Sequence, residues 1–156
     1  MAVRGVCDTR AIDMTEPIQV VIDTNVLVSA FRSKKGASNR LLDAVGDPRW
    51  KINISAALVL EYEEALKRVL REQGKPLALA DEALDGLLVL ATRRSVPARY
   101  RPMSLDADDD FIIDLAIESC ATYLVTFNIR DFLSVRRYGI SIVRPGEFLR
   151  IVEGLP

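Results

Sequence analysis

Residues 18–25, Ile18-Gln19-Val20-Val21-Ile22-Asp23-Thr24-Asn25, carry the signal that decides the fold. Ile18 to Ile22 is a short, nearly unbroken apolar run rich in β-branched residues. That pattern reads as a strand buried on both faces, which is the habit of parallel sheets. The run stops at Asp23. Ligands of open parallel sheets bind outside the carboxyl ends of the strands. Asp23 therefore stands where a ligand is expected. An Asx turn or a helix cap after the strand accounts for the same residue, and Thr24 and Asn25 beside it suit capping or ligand support.

Working outward, Val26 to Phe31 reads as a short helix, 33–36 as a loop, and Ala37 to Val45 as a second helix broken by Gly46-Asp47-Pro48. Lys51 to Ile54 is a second strand. Ser55 is a good N-cap for a helix reaching about Arg71, stopped by Gly74 and Pro76. Leu79 to Arg94 is expected as another helix, and Pro97 to Ser104 as a basic loop containing Tyr100. Asp106 to Ser119 is acidic and then helical. Ala121 to Thr126 and Ile140 to Val143 are further strands, and Pro145 suits the first position of a last helix ending near Gly154. Strands alternating with helices predict an α/β fold: a three-layer α/β/α sandwich with a central, mainly parallel sheet. Residues 17–156 are expected to form a single domain, with 1–16 as an extension.

Composition narrows the chemistry. The 156-residue chain contains no histidine. Ser-His-Asp catalysis, histidine acid–base chemistry and histidine-ligated zinc are all excluded. Carboxylates, amides, hydroxyls, lysine and arginine remain, and an all-oxygen site suits a hard cation, Mg²⁺ or Mn²⁺. Two cysteines are too few for a disulfide framework, and Cys120 reads as a small buried hydrophobe. The net charge of −1 does not announce a nucleic-acid binder. Basic clusters exist locally at Arg32, Lys34 and Lys35, at Arg93, Arg94, Arg99 and Arg101, and at Arg130, Arg136 and Arg137. Each alone reads as a solvated face. No apolar stretch is long enough for a membrane span, and 1–16 has no secretory h-region, so cytoplasmic residence is expected.

The carboxylates recur at one kind of place. On the helix from Ser55 the apolar face is Leu58, Tyr62, Ala65, Leu66 and Val69, and Glu61 falls at its edge. A carboxylate there needs a partner, either an arginine or a metal. Asp106, Asp108, Asp109 and Asp110 open the next acidic segment, and Asp109 aligns with Ile113 and Ala116, pointing inward. Acids favour a helix N-terminus, but four aspartates in five residues exceed that need and would repel one another without a cation. Thr126, Asn128 and Asp131 follow another strand, where Asp131 equally suits capping a turn. Together these groups describe a carboxylate cage for one or two divalent ions.

VVIDTNVLVSAF (20–31), ISAALVLEYEEAL (54–66), DADDDFIIDLAIESCATYLVTFNIRDF (106–132) and GISIVRPGEFL (139–149) together resemble the PIN-domain family, most closely its toxins of toxin–antitoxin pairs. The resemblance implies Mg²⁺- or Mn²⁺-dependent cleavage of RNA, a homodimer and an antitoxin partner. It makes Asp23, Glu61 and Asp109 the acids that hold the metal, with Asp110 as the alternate to Asp109; Asp131, the next carboxylate beyond the strand end, is a further catalytic candidate from its position alone. Many family members place an aspartate two residues after the strand-end threonine, where this chain has Asn128. An amide ligates without bringing charge, so the departure implies one-metal chemistry, weak activity, or an inactive RNA- or protein-binding module. An aspartate phosphohydrolase of the haloacid-dehalogenase kind would need an acid at position 25, and Asn25 cannot carry that proton.

Overall fold

The computed structural model describes residues 16–97 and 110–156. Strands β1 (Ile18–Ile22), β2 (Trp50–Ile54), β3 (Thr92–Arg93), β4 (Tyr123–Val125) and β5 (Ser141–Val143) form one sheet in the order β3-β2-β1-β4-β5. Every pairing is parallel. Helices α1 (Thr24–Arg32), α2 (Ala37–Asp43), α3 (Ala56–Glu72), α4 (Ala78–Leu90), α5 (Asp110–Glu118) and α6 (Pro145–Glu153) flank the sheet. A 3₁₀ segment, Ile129–Tyr138, connects β4 to β5.

The apolar run of β1 explains its central place. Val20, Val21 and Ile22 are fully buried, with β2 and β4 on either side in the sheet, α5 packed against β1, and α3 tied to the last residue of β1 through Tyr62. Apolar side chains on both faces are what such a strand must offer. Trp50, Tyr62, Phe132 and Phe148 are the largest side chains in the core, and Phe148 meets Trp50 edge to face at a centroid distance of 5.2 Å.

The caps act as the sequence predicts. The Ser55 hydroxyl accepts from the Leu58 amide at 3.2 Å, and Pro145 opens α6. Two expectations need correction. Helix α4 ends at Leu90, and Thr92–Arg93 pair with Asn53–Ile54 as an edge strand. Edge strands this short have no room to show a period. Cys120 is exposed and adopts φ 51° beyond the end of α5, so it is not a core residue. Among the described residues no helix is long and apolar enough to cross a membrane. Asp106, Asp108, Asp109, Arg99, Tyr100 and Arg101 lie outside the described residues.

Candidate functional site

The strand order reverses where β1 lies between β2 and β4. A parallel sheet opens a crevice at such a switch point. Ile22 pairs with Val125, and the Asp23 amide donates to the Val125 carbonyl at 2.9 Å. This register sets the residues that leave β1 and β4, Asp23 and Thr126, side by side.

The Thr126 hydroxyl donates to Asp23 Oδ2 at 2.7 Å and accepts from the Asn128 amide at 2.9 Å. Thr126 is fully buried and Asp23 is 5% exposed. Although Asp23 is the N-cap residue of α1, its side chain makes no capping hydrogen bond. The Thr24 and Asn25 amides still act on the carboxylate, so the strand-end turn remains part of its setting. Burial is the main reason its pKa rises from 3.8 to about 6; the Thr126 hydrogen bond opposes that rise, the charge of Glu61 adds to it, and the two amides hold it down.

Glu61 reaches the same place from α3. Its neighbour Tyr62 is fully buried and donates its hydroxyl to the Ile22 carbonyl, tying the helix to the last residue of β1. With Tyr62 fixed, Glu61 is turned to the sheet's edge, where Thr24 Oγ1 donates to Glu61 Oε2 at 2.6 Å. Burial, together with the charges of Asp23 and Glu61, holds the Tyr62 phenol well above its usual pKa, so it stays a neutral donor.

Asp23, Thr24, Asn25, Glu61, Arg68 and Asn128 all line one open cleft. Each threonine engages one oxygen of a carboxylate, and the Thr24 and Asn25 amides act on Asp23 as well. Asn25 Oδ1 is buried there without a hydrogen-bond partner. Buried polar atoms are rarely left so, and an orphaned carbonyl oxygen on a residue that lines the cleft with two carboxylates asks for a cation or an ordered water. The donors are all oxygen, the set that suits Mg²⁺ or Mn²⁺. Among the described residues no group of three or more acidic, cysteine or histidine side chains could hold a metal, so the described part of the cage has two carboxylates, Asp23 and Glu61.

The remaining candidates are placed differently. Asn128 is exposed on the rim of the cleft. Asp131 lies in the 3₁₀ segment and lines a neighbouring hollow instead. Asp110 opens α5 half-buried and is not among the residues lining the cleft. Asp109 lies outside the described residues. Arg32 is paired with Glu72 at 3.1 Å. The sequence reading gave Thr24 to capping or ligand support, and its hydroxyl in fact engages Glu61, thirty-seven positions away, rather than its neighbour Asp23. It missed Asp114, an acid only 6% exposed on α5, which hides among the apolar residues of its helix.

The family model described as PIN domain matches residues 19–130, more than half of the chain. No curated protein matches it.

Proposed function

We propose a metal-dependent endoribonuclease: the chain belongs to the PIN-domain family, whose members are generally nucleases, and the cleft between Asp23 and Glu61 is its active site. The observation that carries this reading is the pair of threonine-held carboxylates beside the orphaned Asn25 oxygen. Asp23 and Glu61 hold the ion, with Asp109 as the third acid, Asp110 as its alternate, and Asn128 and Asp131 as outer contributors. When bound, such an ion supplies a nucleophile at neutral pH and offsets charge building on the phosphate.

The chain's own residues do the rest. Thr126 and Thr24 each hold one oxygen of a carboxylate and so restrict its rotation. Second contacts of this kind orient ligands and sharpen affinity. Asp23, with a pKa near 6, is largely ionised at pH 7 and ready to take a cation. Arg68 lines the cleft beside Glu64 and presents positive charge to a phosphate. The resemblance of the motifs further supports a toxin of a toxin–antitoxin pair, acting as a cytoplasmic homodimer with an antitoxin partner.

The test is cleavage of a mixed single-stranded RNA and of the matching DNA, in Mg²⁺, Mn²⁺ or EDTA. RNA cleavage that needs the metal supports the proposal. Metal-independent RNA binding without cleavage favours the inactive binding module that Asn128 suggests.

A further inference from the structure

The segment after Thr126 turns away from the cleft and forms the wall of a second hollow. It is lined by Phe127, Asn128, Arg130, Asp131, Leu133 and Arg144, among others. Its volume, about 560 Å³, lies within the range of small-ligand sites, roughly 300–1,000 Å³. Asn128 lines both this hollow and the carboxylate cleft, so the two are neighbours.

Phe127 is 41% exposed. Its neighbour Thr126 is fully buried, and the chain leaves the sheet at this point, so the ring is projected outward rather than packed. Arg130 and Arg144 are both exposed, and neither has an ion-pair partner among the described residues. An aromatic face with unpaired guanidinium groups around it is the equipment that binds single-stranded nucleic acid. The ring stacks a base, and the cations follow the phosphates. Asp131, on the same wall, accepts hydrogen bonds and suits an exocyclic amino group of a base rather than a phosphate.

We propose that the hollow is a nucleotide subsite of the nuclease, in which Phe127 stacks the base next to the cleaved bond while Arg130 and Arg144 hold the flanking phosphates. This inference rests on the nuclease reading above. It assigns Phe127 to substrate binding and explains why a large aromatic side chain stands exposed between Thr126 and Asn128. It also implies a preference for unpaired RNA, because a base inside a duplex cannot reach the ring.

The experiment is an abasic scan. Twelve-nucleotide single-stranded RNAs, each with one abasic site at a successive position, are bound to the full chain by fluorescence anisotropy in EDTA, where no metal-dependent cleavage occurs. The wild type is compared with Phe127→Ala, Phe127→Trp and the double variant Arg130→Ala/Arg144→Ala. Phe127→Ala is expected to weaken binding of the intact RNA roughly 5- to 150-fold, the size of one base–aromatic stack. The abasic RNA that most weakens the wild type should then bind Phe127→Ala no worse than intact RNA does. Phe127→Trp should restore binding. The arginine variant should weaken all RNAs alike and lower the salt dependence by about two phosphates. Unchanged binding by Phe127→Ala, or an abasic penalty that survives in it, overturns the inference; if the wild type still cleaves RNA with metal, the nuclease reading stands. A folded wild type that binds no RNA overturns both.

Discussion

Asp23 carries a charge that the folded protein resists. Its pKa in the fold is about 6 against an ordinary 3.8, so the folded state holds a proton that the unfolded chain has already lost. Between these values the folded state binds more protons, and stability falls as pH rises. The protonated group costs nothing below about pH 4, and the full penalty is present above pH 6. One pKa unit corresponds to about 1.4 kcal/mol, so the penalty is roughly 3 kcal/mol at most. In EDTA, Asp23→Asn should therefore be more stable than the wild type at pH 7.5 and lose that advantage at pH 4. Urea unfolding at both values checks this, and a gap that does not change with pH refutes it. Thr126→Val acts in the opposite direction. It removes the donor to Asp23 and should destabilise the fold by about 1–3 kcal/mol. The acid limb of the cleavage profile should move to higher pH, because that hydrogen bond lowers the Asp23 pKa.

At the scale of elements, α3 links packing to chemistry. Ser55 starts the helix and Tyr62 ties it to Ile22, so Glu61 is placed by two contacts made by other residues. Ser55→Ala should cost about 1 kcal/mol of stability, the ordinary value of an N-cap, and leave the metal affinity of the folded protein nearly unchanged. Tyr62→Phe should cost about 1–3 kcal/mol by leaving the buried Ile22 carbonyl unsatisfied. Because that contact aims Glu61, it should also weaken Mn²⁺ binding, read by calorimetry. This division explains what the sequence made legible. Ser55 and the spacing of Leu58, Tyr62, Ala65, Leu66 and Val69 announce α3 and put Glu61 at its edge, and the helix forms as expected. The tyrosine's partner is forty residues away and has no local mark. Strand β3 left no signal either, because two residues cannot display alternation. The run after Thr126 shows the same limit: Asp131 suited capping a turn, while the 3₁₀ course, closed by Gly139 at φ 77°, carries Phe132 and Val135 into the core.

For the whole molecule, the strand order decides which residues meet. The sequence predicts a parallel α/β sheet, but not that β4 returns to lie beside β1. Only that pairing brings Thr126 to Asp23 across 103 positions. It also separates candidates that look alike in sequence: Asn128 stays on the cleft, while Asp131, three residues on, faces the adjoining hollow. A ligand that binds only the folded state stabilises it. Mn²⁺ should therefore raise the melting temperature of the wild type above pH 6, where Asp23 is ionised, and have little effect at pH 4. An equal rise at both pH values would place the ion elsewhere.

RNA cleavage at the Asp23–Glu61 cleft is the function we propose. The most direct measurement is the cleavage rate of a mixed single-stranded RNA in Mn²⁺ by the wild type beside Asp23→Asn, with both proteins shown to be folded. The account predicts cleavage by the wild type and a loss of at least about a hundredfold in the variant, the usual scale for removing an electrostatic group from an active site. Equal cleavage by the two folded proteins would contradict it.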